Sequence, residues 1–313
     1  MVDSNIKTTS TDDKKDSLSS VNFVTVIETP EPVGKHIILN ENGVPEKDRN
    51  TLGVVSRGIA TTLSAATPHE LAEIIRDVGN NTNKVLILSH LKDSVPGDTY
   101  QIITTKKMTQ MTSGEICSGV YARDGVLYVT RTKDNYRPSN WLLLDRDITD
   151  GMPKSMADLN FYEWLEAMTR IWPGMNEAAR VVVPSTTGRV CLNGVPMESS
   201  GAHVYIRAAL DGDIKLLNAT GTRLLAAAMG NKLSFHKISI SGASRPWSIF
   251  DPTTFSSERL VFDGKPRVTG EGLTVSDSEI QIVEGSEADP TLIPELTGIQ
   301  KQGIKRKYGL GVE

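Results

Sequence analysis

The stretch Trp141-Leu142-Leu143-Leu144-Asp145-Arg146-Asp147 is the most informative part of the sequence for the fold. Its apolar run predicts a buried strand. Because side chains alternate along a strand, Asp145 and Asp147 at its end point the same way. Two carboxylates in this setting are costly to desolvate unless a cation sits between them, and Mg²⁺ or Mn²⁺ is the usual one. The alternative is a strand end in solvent, where the acids pair with arginine or lysine.

Strand and helix patterns alternate on both sides of this stretch. Two capping boxes, Thr67 with Glu70 and Asn160 with Glu163, precede apolar residues at helical spacing and predict helices. The Leu/Ala-rich residues 215–229 predict a third helix, interrupted by Gly221. Further strands are predicted at residues 21–27, 84–89, 126–131, 180–184, 203–208, 233–240 and 247–250. This alternation favours an α/β or α+β domain with a mixed sheet over a helical bundle or a sandwich.

The length of 313 residues allows one large domain with appendages. Residues 1–20 are dominated by Ser, Thr, Asp and Lys and are predicted to be a disordered tail. Residues 21–268 carry the strand and helix patterns and form the principal domain. The polar, acidic stretch after Val268 predicts a linker, so residues 269–313 are interpreted as a linker and C-terminal extension.

Composition excludes several classes of protein. A net charge of −4 argues against a protein that coats nucleic acid by charge alone. The two cysteines, Cys117 and Cys191, give neither a disulfide framework nor a zinc cluster. No apolar run approaches the roughly 20 residues of a spanning helix, which predicts a cytoplasmic protein without a membrane partner. A phosphate loop of the helicase type is also missing from the sequence.

Two further elements could join the acidic pair. The stretch Ser199-Ser200-Gly201-Ala202-His203-Val204-Tyr205-Ile206 is a turn of small residues that opens into a strand, where hydroxyls, backbone N–H groups and a histidine can hold phosphate oxygens. A third acid follows an apolar step at either Asp251 or Asp263. Three carboxylates would suit two ions that bridge a triphosphate.

Taken in order, the three elements resemble the archaeo-eukaryotic primase superfamily, which includes primase-polymerases of phages and plasmids. The resemblance covers about residues 21–268 and implies an α+β mixed-sheet catalytic core, with an RRM-like palm half and an N-terminal α/β half. Residues 248–264, in which an apolar-Asp step precedes Glu258-Arg259-Leu260, look like the end of that catalytic domain. On this resemblance Asp251 is preferred to Asp263 as the third acid.

The resemblance also implies roles for individual residues. Asp145, Asp147 and Asp251 would bind two Mg²⁺ or Mn²⁺ ions, and His203 would contact phosphates of the incoming nucleotide. We predict Ser200 and Arg207 as further nucleotide-binding residues. Basic side chains near the histidine could also come from three other positions, which spacing does not separate: Arg189, Lys237 and Arg245.

The function implied is template-dependent synthesis of primers on single-stranded DNA from ribo- or deoxyribonucleoside triphosphates. A replicative helicase is a possible partner, and the location would be the bacterial host cytoplasm if a phage or plasmid encodes the chain. Two alternatives stay open. A metal-dependent nuclease also uses clustered carboxylates, and a replication module could bind DNA without catalysis.

Overall fold

The structure is a computed structural model that describes residues 22–48, 55–116, 118–197, 201–238, 242–277 and 279–308. The predicted tail at residues 1–20, Cys117 and the nucleotide-binding candidate Ser200 lie outside these ranges. The fold is α+β with a mixed sheet, as predicted. Among the described helices, none is both long and apolar enough to cross a membrane.

The first part of the described chain, up to the acidic pair, is mostly strand. Its elements are β1 (Phe23–Glu28), β2 (His36–Leu39), β3 (Pro45–Lys47), β4 (Gly58–Ser64), α1 (Pro68–Asn80), β5 (Lys84–Ile87), β6 (Ser89–Leu91), β7 (Thr99–Ile103), α2 (Thr105–Met111), β8 (Val120–Arg123), β9 (Val126–Thr130), β10 (Tyr136–Pro138) and β11 (Trp141–Arg146).

The second part adds the longer helices. Its elements are α3 (Lys154–Ala157), α4 (Phe161–Ile171), β12 (Arg180–Pro184), β13 (Val190–Leu192), β14 (Val195–Pro196), β15 (Ala202–Arg207), α5 (Ile214–Gly230), β16 (Ser234–Ile238), β17 (Ser244–Ser248), β18 (Leu260–Val261), β19 (Arg267–Thr269), β20 (Leu273–Val275), β21 (Gln281–Val283) and α6 (Gly298–Tyr308).

The N-terminal half is built on a seven-stranded sheet in the order β18-β5-β1-β4-β7-β9-β8. All neighbours are antiparallel except β7 and β9, which are parallel. Helix α1 begins as its capping residues predict, because the Thr67 side chain accepts a hydrogen bond from the Glu70 backbone N–H at 3.2 Å. Its buried face packs into the same apolar cluster as Val24 and Leu86 of the sheet.

The predicted strand before the acidic pair lies in a second, four-stranded antiparallel sheet, ordered β11-β15-β12-β21. Leu142 and Leu144 face one apolar cluster, which includes α4 and α5. Trp141 and Leu143 face the other cluster, together with α1. The strand is therefore buried on both faces, and its partly exposed residue is Asp145, near its polar end.

Helices α4 and α5 cover one face of the four-stranded sheet. The predicted capping box starts α4, with hydrogen bonds in both directions between Asn160 and Glu163. Helix α5 runs through Gly221 without the predicted interruption. A Cβ atom at this glycine would lie 2.6 Å from the ring of Phe255, so the absence of a side chain lets that ring approach the helix.

The segment beyond Val268 differs from the predicted linker. Strand β20 pairs with β13, and β21 adds to β12 at the edge of the four-stranded sheet. Ala288 and Ile293 are buried in the main core, and α6 contacts α5. These strands are only three residues long and are flanked by polar residues, so they carry little hydrophobic pattern to predict them.

Candidate active site

The register of the four-stranded sheet brings the acidic pair and the histidine together. Asp145 on β11 lies directly opposite His203 on β15. Residues opposed in this way have their Cβ atoms about 5 Å apart, which is within reach of side-chain contact. The His203 Nε2 atom lies 3.5 Å from the Asp145 Oδ1 atom. Asp147 follows the last strand residue by one position and is exposed.

Asp251 reaches the same place from the chain that leaves β17. Its backbone N–H donates to the Asp145 carbonyl oxygen at 2.9 Å, which fixes the two main chains side by side. Its carboxylate accepts the Thr253 N–H at 2.8 Å and caps a short 3-10 helix. One carboxylate oxygen lies 3.5 Å from an Arg259 nitrogen.

A cavity of about 550 Å³ opens onto these residues. Its size falls within the range that is usual for small-ligand sites, roughly 300–1,000 Å³. The charged or titratable residues that line it are Asp145, Asp147, Asp251, His203, Lys35, Lys47, Arg146 and Arg259. The structure thus brings together all four residues predicted as catalytic, and it adds a basic wall to them.

The lysines of this wall come from the small hairpin of β2 and β3. The backbone of Lys35 is held by the Arg267 N–H, which donates to its carbonyl at 2.8 Å. The His36 ring contacts Asp48 at 3.0 Å and Thr269 at 2.9 Å, and so ties the hairpin to β19. Burial and then the charge of Lys35 lower the pKa of Lys47.

Behind the histidine lies a buried network that does not face the cavity. The His203 Nδ1 atom contacts Asp263 Oδ1 at 2.5 Å, and the Tyr205 hydroxyl donates to the other oxygen of the same carboxylate. Asp263 is 4% exposed and does not line the cavity. Asp263 therefore orients the ring of His203, whereas Asp251 is the third acid that faces the open space.

The network sets the protonation of the histidine. Burial alone would lower the pKa of His203, but the charge and hydrogen bond of Asp263, and then the charge of Asp145, raise it to about 9. Burial would raise the pKa of Asp263, and the cationic His203 together with two hydrogen bonds brings it below its usual value. At neutral pH His203 is therefore a cation that donates from both ring nitrogens.

Asp145, the acid opposite His203, is repelled by the neighbouring carboxylates. Burial raises the pKa of Asp145, and the carboxylates of Asp147 and Asp251 raise it further, against the opposing effects of His203 and Lys35. A cation shared by the three acids would relieve this repulsion, and carboxylate oxygens are the ligands that Mg²⁺ and Mn²⁺ prefer. The donor set therefore fits these ions by its chemistry.

The acidic side chains of the site are not grouped around one point. Among the residues that the structure describes, no three His, Cys, Asp or Glu side chains are placed closely enough to hold a metal ion. The Asp145 and Asp251 main chains are nevertheless fixed next to each other, and Asp147 lies on the same cavity wall.

Comparison with known proteins identified no relative of this chain. No protein-family model, no curated protein and no solved structure matches it. The site itself is therefore the basis for a function.

Other residues predicted to bind the nucleotide lie elsewhere. Arg207 is at the opposite end of β15 from His203, where it contacts Glu287 at 2.9 Å and the Ala66 carbonyl at 2.7 Å. Arg189 is buried and donates to backbone carbonyls such as that of Gly79. Neither arginine lines the cavity. Spacing along one strand could not show which end of it faces the site.

Four basic residues of the cavity had no predicted role, namely Lys35, Lys47, Arg146 and Arg259. Arg259 lies in the segment 248–264 that looks like the end of the catalytic domain, but neither it nor Lys35 stood out by spacing or by composition. Lys47 follows a turn at Asn42-Gly43, which predicts a hairpin. The turn does not predict which part of the chain this hairpin contacts. The position of Lys35, Lys47 and Arg259 beside the acids depends on contacts between distant parts of the chain.

The pKa of His203 predicts a pH-dependent stability. A folded-state pKa of about 9 lies above the usual 6.5, so the stabilisation is complete below pH 6.5 and is lost as the pH rises through 9. The free energy of unfolding should fall by about 3 kcal/mol over this interval. Urea titrations in EDTA at several pH values would measure it. His203→Gln should flatten the slope, and an equally steep slope in this variant would contradict the assignment.

Proposed function

We propose that the chain is a metal-dependent nucleotidyltransferase of the primase-polymerase type, which synthesises primers on single-stranded DNA. The observation that carries the proposal is the placement of Asp145 opposite His203, with Asp251 bonded to the Asp145 backbone, in one cavity. An acid cluster beside a phosphate-binding group is what transfer of a nucleotidyl group requires.

The charge of the cavity favours a triphosphate as its ligand. Three basic side chains, those of Lys35, Lys47 and Arg259, and the protonated His203 face three carboxylates, so the lining is positive although the chain carries a net charge of −4. Such a local field attracts anions and holds them. Lys35, Lys47 and Arg259 can balance the charge of the phosphates beside the acids.

The histidine acts as a donor rather than a base at neutral pH. Because Asp263 holds the Nδ1 proton, the Nε2–H group of His203 is the one that faces the cavity. It can donate a hydrogen bond to a phosphate oxygen and stabilise negative charge that develops there. The pKa of about 9 keeps this proton in place through the neutral range.

Asp145, Asp147 and Asp251 would hold the Mg²⁺ or Mn²⁺ ions. When bound, such ions align a 3′-hydroxyl with the α-phosphate and neutralise charge on the pyrophosphate leaving group. The residues themselves fix the geometry, since the Asp251 N–H to Asp145 carbonyl bond sets the spacing of two of the acids. A replicative helicase belongs to the same proposal as a partner.

A synthesis assay with the unmodified chain tests the proposal. Single-stranded circular DNA, labelled nucleoside triphosphates and Mn²⁺ or Mg²⁺ should give labelled oligonucleotides, and EDTA should abolish them. Products that form equally well in EDTA would contradict a metal-dependent transfer. Ribo- and deoxyribonucleotides should be supplied separately, so that sugar preference is measured in the same experiment.

The two rival functions give different results in this assay. A nuclease would shorten end-labelled DNA with the metal alone, without any triphosphate. A DNA-binding module without catalysis would bind single-stranded DNA. It would bind neither Mn²⁺ nor nucleotide in a calorimetric titration. Either outcome would replace the proposed function.

A further inference from the structure

A two-stranded ribbon, β16 with β17, leads directly into the candidate active site. Its register places Lys237 directly opposite Arg245. Like charges in this position repel each other and are unfavourable for strand pairing. The repulsion between the two side chains must therefore be offset by another contact, or both charges must serve a function.

Trp247 provides part of the compensation. The Lys237 ammonium lies 3.9 Å from the centre of the indole ring, and the Arg245 guanidinium lies 4.6 Å from it. Trp247 itself is 2% exposed and packs in the main core. The ring thus holds both cations on one face of the ribbon by cation–π attraction, which restricts their motion before any ligand binds.

The two cations remain available for a negatively charged partner. In the described part of the chain, neither Lys237 nor Arg245 forms an ion pair with a carboxylate. Arg245 is exposed and Lys237 is half-buried. Ile238, next to the pair, is 71% exposed, so this end of the ribbon faces solvent, whereas Phe235 and Trp247 at its other end pack in the main core.

The connection to the site is short and anchored. Only Ile249 and Phe250 separate β17 from Asp251, and the Trp164 indole N–H donates to the Ile249 carbonyl at 2.7 Å. Both connecting residues are buried. Six residues at about 3.3 Å each place Arg245 at most roughly 20 Å from Asp251 along the chain.

We propose that the Lys237–Arg245 ribbon binds the sugar–phosphate backbone of the single-stranded DNA template that is copied in the cavity. This inference rests on the proposed function, because it assumes that the cavity acts on nucleic acid. Paired cations held against an aromatic ring suit a chain of phosphates better than the side chains of a protein partner. The ribbon supplies affinity without base recognition.

Binding of a labelled 20-nucleotide oligo(dT) to the full chain tests the inference. The double variant Lys237→Met, Arg245→Met keeps the aliphatic packing on Trp247 and removes both charges. We expect roughly tenfold weaker binding at 0.1 M salt, and a salt dependence reduced by about 1.4 in its logarithmic slope. The matched control is Lys106→Met, Arg123→Met, which removes the same charge from exposed positions on α2 and β8.

The two proposals fail in different ways. Unchanged affinity and salt slope in the ribbon variant, with its melting temperature retained, would overturn the ribbon assignment whatever the fate of the polymerase activity. An equal loss in the control variant would show general charge attraction and would also overturn it. A selective loss of binding to labelled polyglutamate, with DNA binding intact, would favour an acidic protein partner instead. Binding of Mn²⁺ with a nucleotide should be unaffected in the ribbon variant.

Discussion

Replacement of Asp145 and Asp147 by alanine is expected to reduce nucleotide incorporation on single-stranded DNA by at least about a thousandfold. Both acids line the cavity beside His203, and among the described residues Asp251 is the one other carboxylate that lines it. Asp251 alone would leave two ions with a single carboxylate between them, whereas such sites use one or two carboxylates together with the phosphates for each Mg²⁺ ion. Incorporation of labelled nucleotide measures the loss directly.

The same substitution should not unfold the protein. The neighbouring carboxylates and burial raise the pKa of Asp145, so removal of this repulsion should keep the melting temperature in EDTA unchanged or raise it. Asp150→Ala, Asp158→Ala is the matched control, since it removes two exposed acids just beyond the site. Full activity in the Asp145, Asp147 variant would refute the proposed function.

The second large effect is expected at Asp263. Asp263→Asn keeps the shape of the side chain but removes the charge that balances His203, and it leaves a buried imidazole without its counter-ion. Loss of one partner of a buried ion pair destabilises a protein by about 3–5 kcal/mol. Urea denaturation at pH 7 should show a loss of this size.

The pH dependence of this effect distinguishes it from a simple packing defect. Above pH 9 the wild-type His203 also loses its proton, so the difference between Asp263→Asn and the wild type should shrink. Asp77→Asn is the control, because it removes an exposed partner of Lys84, and surface pairs contribute less than about 1 kcal/mol. A difference that is constant from pH 7 to pH 10 would contradict the charge-based explanation.

The local parts of the fold could be predicted from the sequence. The apolar run of β11 and the capping residues of α1 and α4 act within one element, so their signals are complete in a short stretch. The sheet pairings depend on contacts between distant residues. Strand β21, which completes the sheet of the site, has too few apolar residues to be recognised without its partner β12.

The acids of the candidate site could be predicted from the sequence, whereas the residues around them could not. Asp251 and Asp263 each follow an apolar step in the sequence, and only the fold shows that one faces the cavity while the other supports His203. Lys35 and Lys47 depend on a hairpin that is tied to Thr269 across 233 residues of sequence. No local pattern contains that contact.

The parallel pairing of β2 with β19 has a consequence for the order of assembly on the ribosome. Residues 36–38 leave the ribosome more than 200 residues before their strand partner, residues 267–269. The lysine-bearing hairpin must therefore wait for that later segment before it can take its place, although domains generally fold from the N-terminus as they emerge. Nascent chains that stall before this point would carry the acids without their basic wall.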